Sequence, residues 1–376
     1  MLIRITTDTG LKGYAPGPAH ERADREIRQT VGPFLIGKDP RRWQKFHFPE
    51  DQEVMKTYKA VEIALLDLVA RYEGCTLSEL LGGRKRDRIK LYGSAGMYME
   101  PEEYAREAHT IIDMGFPAYK MRLGIGPEKD LKAMALMREA VGPEAGLMID
   151  AHTWWRMGNN SYPFETIMKL AQDIKDYHPI WLEEPLPPDD HAAYRELRNR
   201  LDVKLACGEH EPDDSGFHDL ISSEAVDYVQ MDILCQGGIS SAQQIFEGVQ
   251  KHGLRFAFHS WGTSLEVLTA AQLGVCWPEN VVEWLEYPCY SNEKCQAMYP
   301  FPLADEILYE RPEIENGYLL LPNGPGMGIE INENVIEKYP FIPGPWSVFQ
   351  LNSPAETIAV TGDHSLKWAN PAPIEP

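Results

Sequence analysis

Short apolar segments alternate with longer amphipathic segments between residues 89 and 287. The apolar segments predict strands at 89–95, 117–123, 146–151, 180–184, 204–209, 227–233, 255–259 and 281–287. Helical periodicity predicts helices near 101–114, 128–141, 163–176, 191–200, 214–222, 239–252 and 263–275. Apolar strands that alternate with helices form a parallel sheet that is buried on both faces. Eight such strands in about 200 residues favour an α/β fold with a closed (β/α)₈ barrel of the TIM type over an open sheet.

The segment before the barrel mixes strand and helix patterns. Residues 2–15 alternate around a D-T-G turn, which predicts a β-hairpin. A helix is predicted near 21–35, and residues 54–73 carry apolar side chains at the spacing of a long, buried helix. Residues 1–88 are therefore predicted to form an α+β domain.

The pattern becomes irregular after the last predicted strand. Residues 317–331 predict a strand, a tight turn and a second strand, and the Pro-rich segment 343–376 predicts an extended tail over the surface or over a neighbouring subunit. We therefore divide the chain into a first domain at 1–88, a barrel domain at 89–310 and a C-terminal segment at 311–376.

Composition limits the partners of this protein. Its 36 basic and 57 acidic residues give a formal net charge of −21, which argues against a nucleic-acid partner. A small anionic substrate remains compatible, because a metal and a few cations can reverse the field inside a cleft. The N-terminal residues do not predict a signal peptide, and no apolar run is long enough to predict a membrane span. The six scattered cysteines indicate free thiols, so we expect a cytoplasmic protein.

Ionisable residues stand at the C-terminal ends of the predicted strands, where the active site of a (β/α)₈ barrel lies. They are Lys120 and Arg122, Asp150 and His152, Glu183, Glu209, Asp232, His259, and either Glu283 or Glu286. A single residue of this kind is ordinarily part of a solvated salt bridge at the rim. A whole set at the ends of buried strands indicates partners or a metal.

Three of these residues predict a metal site. Asp150, Glu183 and Glu209 supply hard oxygen ligands from three successive strands, which suits Mg²⁺ with positions left for water or substrate. Zinc would require His or Cys, and calcium would take more ligands. Glu184 directly follows Glu183, so by alternation it is expected to point the other way.

A histidine and an aspartate predict a general base. His259 alone would more often be a structural residue, but Asp232 at the end of the preceding strand would fix its tautomer and raise its basicity. Lys120 and Arg122 are two residues apart and therefore share one side of their strand, as do Asp150 and His152.

These residues resemble the motifs of the enolase superfamily, specifically its mandelate racemase-like subgroup. The matching segments are the helix at 60–83, Y-K-M-R at 119–122, W-L-E-E-P at 181–185, G-E-H at 208–210, M-D-I-L-C-Q-G-G-I at 231–239, F-H-S-W at 258–261 and P-G-M-G-I-E-I at 325–331. The separations 209 − 183 = 26 and 259 − 232 = 27 also fit the family. The resemblance implies that residues 1–88 cap the barrel and that the C-terminal segment returns to the cap.

The resemblance also implies the chemistry. Mg²⁺ would be held by Asp150, Glu183 and Glu209 and would bind a substrate carboxylate. A base would remove the proton α to that carboxylate, and the metal would stabilise the enediolate. The pair of His259 and Asp232 would serve one face of the α-carbon.

Two further residues complete the site that the resemblance implies. A glutamate on the last strand, Glu286 in preference to Glu283, would hydrogen-bond the carboxylate or enolate oxygen. Lys120 would lie near the substrate carboxylate as an electrostatic partner.

Three departures from the family pattern affect the interpretation. Arg122 replaces a lysine. A guanidinium has a pKa above about 12 and is a poor base at neutral pH, so this replacement disfavours racemisation and leaves a one-base reaction. His152 replaces a more usual Asn; a role as acid or substrate donor and a contact to Asp150 are equally supported. The family's first strand and specificity loop would precede Leu2, so either the start codon is misassigned or this member lacks them.

Together these features predict a Mg²⁺-dependent dehydratase of an acid sugar, an aldonate or aldarate, that forms a 2-keto-3-deoxy acid. The acid that releases the β-hydroxyl would be protonated His259 or His152. Two alternatives remain: a racemase, epimerase or cycloisomerase of the same superfamily, or a non-catalytic binding or regulatory member. We expect a homo-oligomer with no nucleic-acid or membrane partner.

Overall fold

The computed structural model describes residues 1–18, 21–49, 52–97, 99–151, 162–289, 303–339, 347–350 and 357–360. Its first element is an antiparallel hairpin of β1 (Leu2–Thr6) and β2 (Lys12–Pro16), which confirms the alternating pattern. Helical segments follow at Glu21–Glu26, Ile27–Val31, Gly32–Leu35, Pro40–Lys45, Gln52–Glu73 and Leu77–Leu80. The predicted site residue His152 and most of the predicted tail lie outside the described residues.

Eight parallel strands close into a barrel. They are β3 (Arg88–Met97), β4 (Ala118–Arg122), β5 (Gly146–Asp150), β6 (Leu182–Glu183), β7 (Leu205–Cys207), β8 (Tyr228–Asp232), β9 (Arg255–His259) and β10 (Val282–Pro288). Each strand pairs with the next, and β10 pairs with β3. The predicted barrel is thus confirmed. Strand β6 is shorter than predicted at both ends, and it stops at Glu183 because Glu184, with φ at 40°, leaves the extended conformation.

Helices surround the barrel as the sequence predicts. They span Pro101–Asp113, Pro127–Val141, Phe164–Ile174, His191–Arg200, Asp214–Ser222, Gly238–Lys251 and Ser264–Gly274. Short helical turns occur at Lys175–Tyr177, Ile233–Gly237, Leu303–Glu306 and Val335–Lys338. No helix among the described residues is long and apolar enough to cross a membrane.

Side chains fill the interior of the barrel. An aromatic layer, defined here as Tyr92, Trp181, Tyr228 and Trp284, packs with Ala118, Met148, Ala206 and Ala257. The ring centroid of Trp181 lies 5.4 Å from that of Tyr92 and 5.0 Å from that of Tyr228. Tyr228 and Ala118 are the first residues of their strands, so this layer occupies the N-terminal half of the barrel.

The long helix Gln52–Glu73 joins the first domain to the barrel. Its Lys59 forms an ion pair with Asp214 at 2.9 Å, and its Glu62 accepts a hydrogen bond from the Ser240 hydroxyl at 2.9 Å. Gly238 allows this close approach, because a Cβ there would lie 2.6 Å from the carbonyl oxygen of Lys59.

The C-terminal segment returns to the same helix, but only the first of the two strands predicted within 317–331 forms. A hairpin of β11 (Ile314–Glu315) and β12 (Tyr318–Leu320) extends the sheet from the start of β3. The prediction of a second strand there is wrong, because this stretch forms hydrogen bonds with the long helix instead. The Met327 N–H donates to Asp67 at 2.8 Å. In the tail, β13 (Ser347–Gln350) pairs with β14 (Thr357–Val360).

Candidate active site

The ends of the barrel strands bring the predicted site residues together. Five strands end at Arg122, Asp150, Glu183, Asp232 and His259, respectively. Glu209 lies two residues beyond the end of β7. Lys120 and Glu286 each lie two residues before the end of a strand. Because the strands are parallel and the sheet is closed, all these residues meet at one mouth of the barrel.

Asp150, Glu183 and Glu209 form a compact group of buried carboxylates. One oxygen from each lies within 4.8 Å of the others, so the three residues could hold a metal ion. An all-oxygen donor set fits a hard divalent cation such as Mg²⁺ rather than zinc. Burial raises the pKa of Glu183 to about 8; Lys120 opposes this rise, and the neighbouring carboxylates add to it. A bound cation would therefore relieve repulsion that one lysine does not cancel.

Lys120 lies at the centre of the acidic group. Its Nζ lies 2.7 Å from Glu183 Oε1, 3.0 Å from Glu286 Oε1 and 3.7 Å from Asp150 Oδ2. Burial lowers the pKa of Lys120, but the charges of Glu183 and Glu286 outweigh burial and hold the pKa well above its usual value. Lys120 is consequently a fixed positive charge and not a base at neutral pH.

Arg122 is held between a carboxylate and an aromatic ring. Its Nε lies 3.3 Å from Asp150 Oδ2, and its guanidinium carbon lies 4.5 Å from the ring centroid of Trp261. A guanidinium stacked on an indole is an attractive cation–π pair. Trp261 follows His259, the last residue of β9, by two residues, so the loop directly after the strand that carries the histidine carries the ring that covers Arg122.

His259 and Asp232 form the predicted dyad. Nδ1 of His259 lies 3.0 Å from Asp232 Oδ2, while Nε2 lies 3.1 Å from Glu209 Oε2 and 3.8 Å from Glu286 Oε2. The aspartate therefore engages one ring nitrogen, and the other faces the centre of the site. Burial lowers the pKa of His259, but the charges of Glu209, Glu286 and Asp232 outweigh burial and hold the pKa well above its usual value. A cation held by Glu209 would offset part of that charge, lower this pKa and leave Nε2 able to act as a base.

The two candidate glutamates of the last strand lie in different places. Glu286 is fully buried beside Lys120 and accepts a hydrogen bond from the Ser260 N–H at 3.0 Å. Glu283 instead pairs with Arg255 and Tyr228, the first residues of β9 and β8. Glu286 is thus the glutamate of this strand that lies at the mouth.

Glu184 and His210 form a second polar pair behind Glu209. Nδ1 of His210 lies 2.7 Å from Glu184 Oε2 and 3.4 Å from Glu209 Oε1. Strand alternation places Glu184 away from Glu183, but its φ of 40° takes it out of the extended conformation on which that argument depends. Ligand atoms of Glu184, Glu209 and His210 also lie within 4.8 Å of one another, so the sequence pattern missed a second acidic group.

Glu266 is another buried residue that sequence reasoning missed. It accepts a hydrogen bond from the Ser260 hydroxyl at 3.1 Å, and it lies so close to Gly262 that a Cβ there would overlap its carboxylate. Burial raises the pKa of Glu266 well above its usual value, and the charge of Asp232 adds to the rise. Ser260 belongs to the F-H-S-W motif at 258–261, but that motif does not identify the helix residue with which it pairs.

Comparison with known proteins assigns the chain to one family. The profile described as "Enolase C-terminal domain-like" matches residues 103–335. That of the "Mandelate racemase / muconate lactonizing enzyme, N-terminal domain" matches residues 1–82. The chain belongs to the enolase superfamily, in its mandelate racemase-like group. The resemblance noted in the sequence is thereby confirmed.

Individual members of the superfamily cover most of this chain. A D-galactarolactone cycloisomerase of Agrobacterium fabrum is 31% identical over 356 residues, which are 90% of this chain and 90% of the relative. A D-gluconate dehydratase of Thermoproteus tenax is 26% identical over 90% of this chain and 69% of its own length. The crystal structure of a 3,6-anhydro-D-galactonate cycloisomerase from Zobellia galactanivorans superposes with a TM-score of 0.75 at 28% identity and covers 90% of this chain and 93% of that one. These superfamily relatives are enzymes.

Proposed function

We propose that this protein is a Mg²⁺-dependent dehydratase that converts an aldonate or aldarate to its 2-keto-3-deoxy acid. The proposal rests on the combination of bases at the site. His259 and Asp232 form a dyad, and the guanidinium of Arg122 takes the position at which racemisation would need a second base. Dehydration requires proton removal from one face of the α-carbon only. The D-gluconate dehydratase among the relatives supports the substrate class.

The proposed reaction removes water from adjacent carbons. Nε2 of His259 takes the α-proton, and the electron pair of that C–H bond becomes the Cα–Cβ double bond. The β-hydroxyl leaves with its electron pair and takes up a proton, so one molecule of water is released. The resulting enol gains a proton at Cβ, loses the proton of its α-hydroxyl and becomes the 2-keto-3-deoxy acid. Protonated His259 can return the proton to the leaving hydroxyl on the same face; His152 remains the other candidate for this acid.

Each charged residue has a proposed role that follows from its contacts. Asp232 holds Nδ1 of His259 and leaves Nε2 to accept the proton. Lys120 keeps its charge and stabilises the substrate carboxylate. Arg122 stays protonated and donates hydrogen bonds to the substrate from the face of the α-carbon opposite His259. Mg²⁺, held by Asp150, Glu183 and Glu209, would supply Lewis-acid stabilisation of the charge that develops on the carboxylate.

The proposal is tested with a stereochemically complete panel of aldonates and aldarates. Each is incubated with the full-length protein and Mg²⁺, and the product is assayed as a 2-keto acid. We expect one or a few acids to give product that is lighter than the substrate by one water. The absence of product across the panel, from protein that is folded and binds Mg²⁺, would contradict the proposal.

Replacing the proposed base tests its role. We expect His259→Asn to lower kcat by about 10²–10⁴-fold, because the variant lacks a group that can take the α-proton. Circular dichroism should show an unchanged fold. The matched control is His218→Asn, at an exposed histidine of the helix Asp214–Ser222, which should retain activity. Full activity of the His259 variant would show that another group takes the α-proton, whereas no turnover by the unmodified protein and no effect of either substitution would support a non-catalytic protein.

A cycloisomerase is the second candidate, because the relative of that name is 31% identical to this chain. Mass spectrometry separates the two reactions: cycloisomerisation preserves the mass of the substrate, whereas dehydration lowers it by one water. A racemase or epimerase would retain the mass but incorporate solvent deuterium at the α-carbon. The homo-oligomer and the absence of other macromolecular partners stay predictions, which light scattering of the purified protein would check.

A further inference from the structure

Trp181 connects the aromatic layer of the barrel with the acidic group above it. Its indole N–H donates a hydrogen bond to Glu183 Oε2 at 2.9 Å, and both side chains are fully buried. The two residues are two positions apart in an extended segment, so both side chains point into the barrel. The floor of the site therefore includes a neutral donor aimed at one candidate metal ligand.

Trp181 and Lys120 hold opposite oxygens of the same carboxylate. Lys120 Nζ lies 2.7 Å from Glu183 Oε1, while the indole contacts Oε2. Lys120 divides its charge among Glu183, Glu286 and Asp150. The indole has a single N–H and no acceptor, so its hydrogen bond is made to Glu183 alone.

The orientation of this donor is set by the barrel core. The ring of Trp181 meets that of Tyr92 edge-on at an interplanar angle of 87° and that of Tyr228 at 49°. A large ring held in a close-packed layer cannot rotate without moving its neighbours. The N–H direction is therefore fixed before any ligand enters the site.

We propose that Trp181 is a positioning residue for the metal site, whose indole N–H fixes the Glu183 carboxylate in the orientation that binds the cation. The inference rests on the proposed role of Glu183 as a Mg²⁺ ligand. Hydrogen bonds of this kind to ligating side chains orient the ligand, and removing one typically weakens metal affinity by about 10–100-fold.

The test measures Mg²⁺ binding by calorimetry on the full-length protein without substrate. Trp181→Phe removes the N–H and keeps an aromatic ring. The matched control is Trp284→Phe in the same aromatic layer, since the hydrogen bonds to Glu183 among the described residues come from Lys120 and Trp181. We expect Trp181→Phe to raise the Kd for Mg²⁺ by about 10–100-fold and Trp284→Phe to change it by less than about twofold.

Each outcome separates the inference from the proposed function. Unchanged Mg²⁺ affinity in Trp181→Phe, or an equal loss in both variants, overturns the positioning role while leaving the dehydratase proposal in place. Failure of the unmodified protein to bind Mg²⁺ overturns both. If Trp181→Phe does not fold, replacement of Trp181 by 3-benzothienylalanine retains the bicyclic ring and removes only the N–H. That protein should melt at the original Tm and show the same loss of affinity.

Discussion

Arg122 has contacts that a lysine could not reproduce. Its guanidinium is planar, so it can face the Trp261 ring while its Nε edge approaches Asp150 at 3.3 Å. A lysine at this position would have a compact ammonium on a flexible chain, with a pKa that the surroundings can shift. The choice between arginine and lysine here therefore bears on whether the second face of the α-carbon has a base.

Arg122→Lys tests this directly. We expect the variant to lose about tenfold or more in dehydration and to exchange the α-proton from the second face, because a lysine can deprotonate. Nuclear magnetic resonance in D₂O would detect deuterium at the α-carbon in the recovered epimer. Arg122→Met, which has no base, should lose dehydration without forming the epimer. Epimer formation by the unmodified protein would refute the one-base reaction.

At the scale of elements, apolar segments were enough to predict the barrel. Each of the eight predicted strands is apolar along most of its length, and the ionisable residues at the C-terminal ends of seven of them could be identified from the sequence alone. The contacts between elements could not be predicted from the sequence. The bond from Trp181 to Glu183, the burial of Glu266 beneath Ser260 and the pairing of Glu184 with His210 depend on side-chain directions or backbone angles that periodicity does not contain.

His191 shows how one side chain links several elements beside the site. It begins the helix His191–Arg200, and its ring nitrogens lie 2.7 Å from Glu211 and 2.5 Å from Asp219. Burial lowers the pKa of His191, but the hydrogen bonds to Glu211 and Asp219 outweigh burial and raise the pKa to about 9. Protonated His191 therefore bridges the loop after β7 and the helix Asp214–Ser222.

The raised pKa of His191 predicts a pH-dependent stability. A folded-state pKa above the usual value of about 6.5 contributes stability that is complete below about pH 6.5 and is lost as the pH rises through 9. We expect His191→Gln to lower the Tm at pH 6 and to differ less from the unmodified protein at pH 10. The exposed His218→Gln variant should match the unmodified protein at both values. A Tm difference that is constant between pH 6 and pH 10 would show that His191 acts without its charge.

For the whole molecule, the candidate metal site joins three strands of a closed barrel. A cation that binds only the folded chain stabilises it by about 2.7 kcal/mol at one hundred times its Kd. For a chain of 376 residues this corresponds to a rise in Tm of about 3–4 °C. We expect this rise when MgCl₂ replaces EDTA in a thermal melt. Asp150→Asn should abolish it, and an equal rise in that variant would place the stabilising Mg²⁺ elsewhere.

The return of the C-terminal segment to the long helix also determines when the first domain can be completed during synthesis. Asp67 accepts hydrogen bonds from Tyr14 N–H at 2.9 Å and from Met327 N–H at 2.8 Å, and Glu333 accepts from Lys12 at 2.9 Å. Asp67 and Met327 are 260 residues apart in the chain. At ribosomal speeds of about 5–20 residues per second, about 13–50 s separate their appearance. The residues made first therefore acquire their last hydrogen bonds only when the barrel has already been translated.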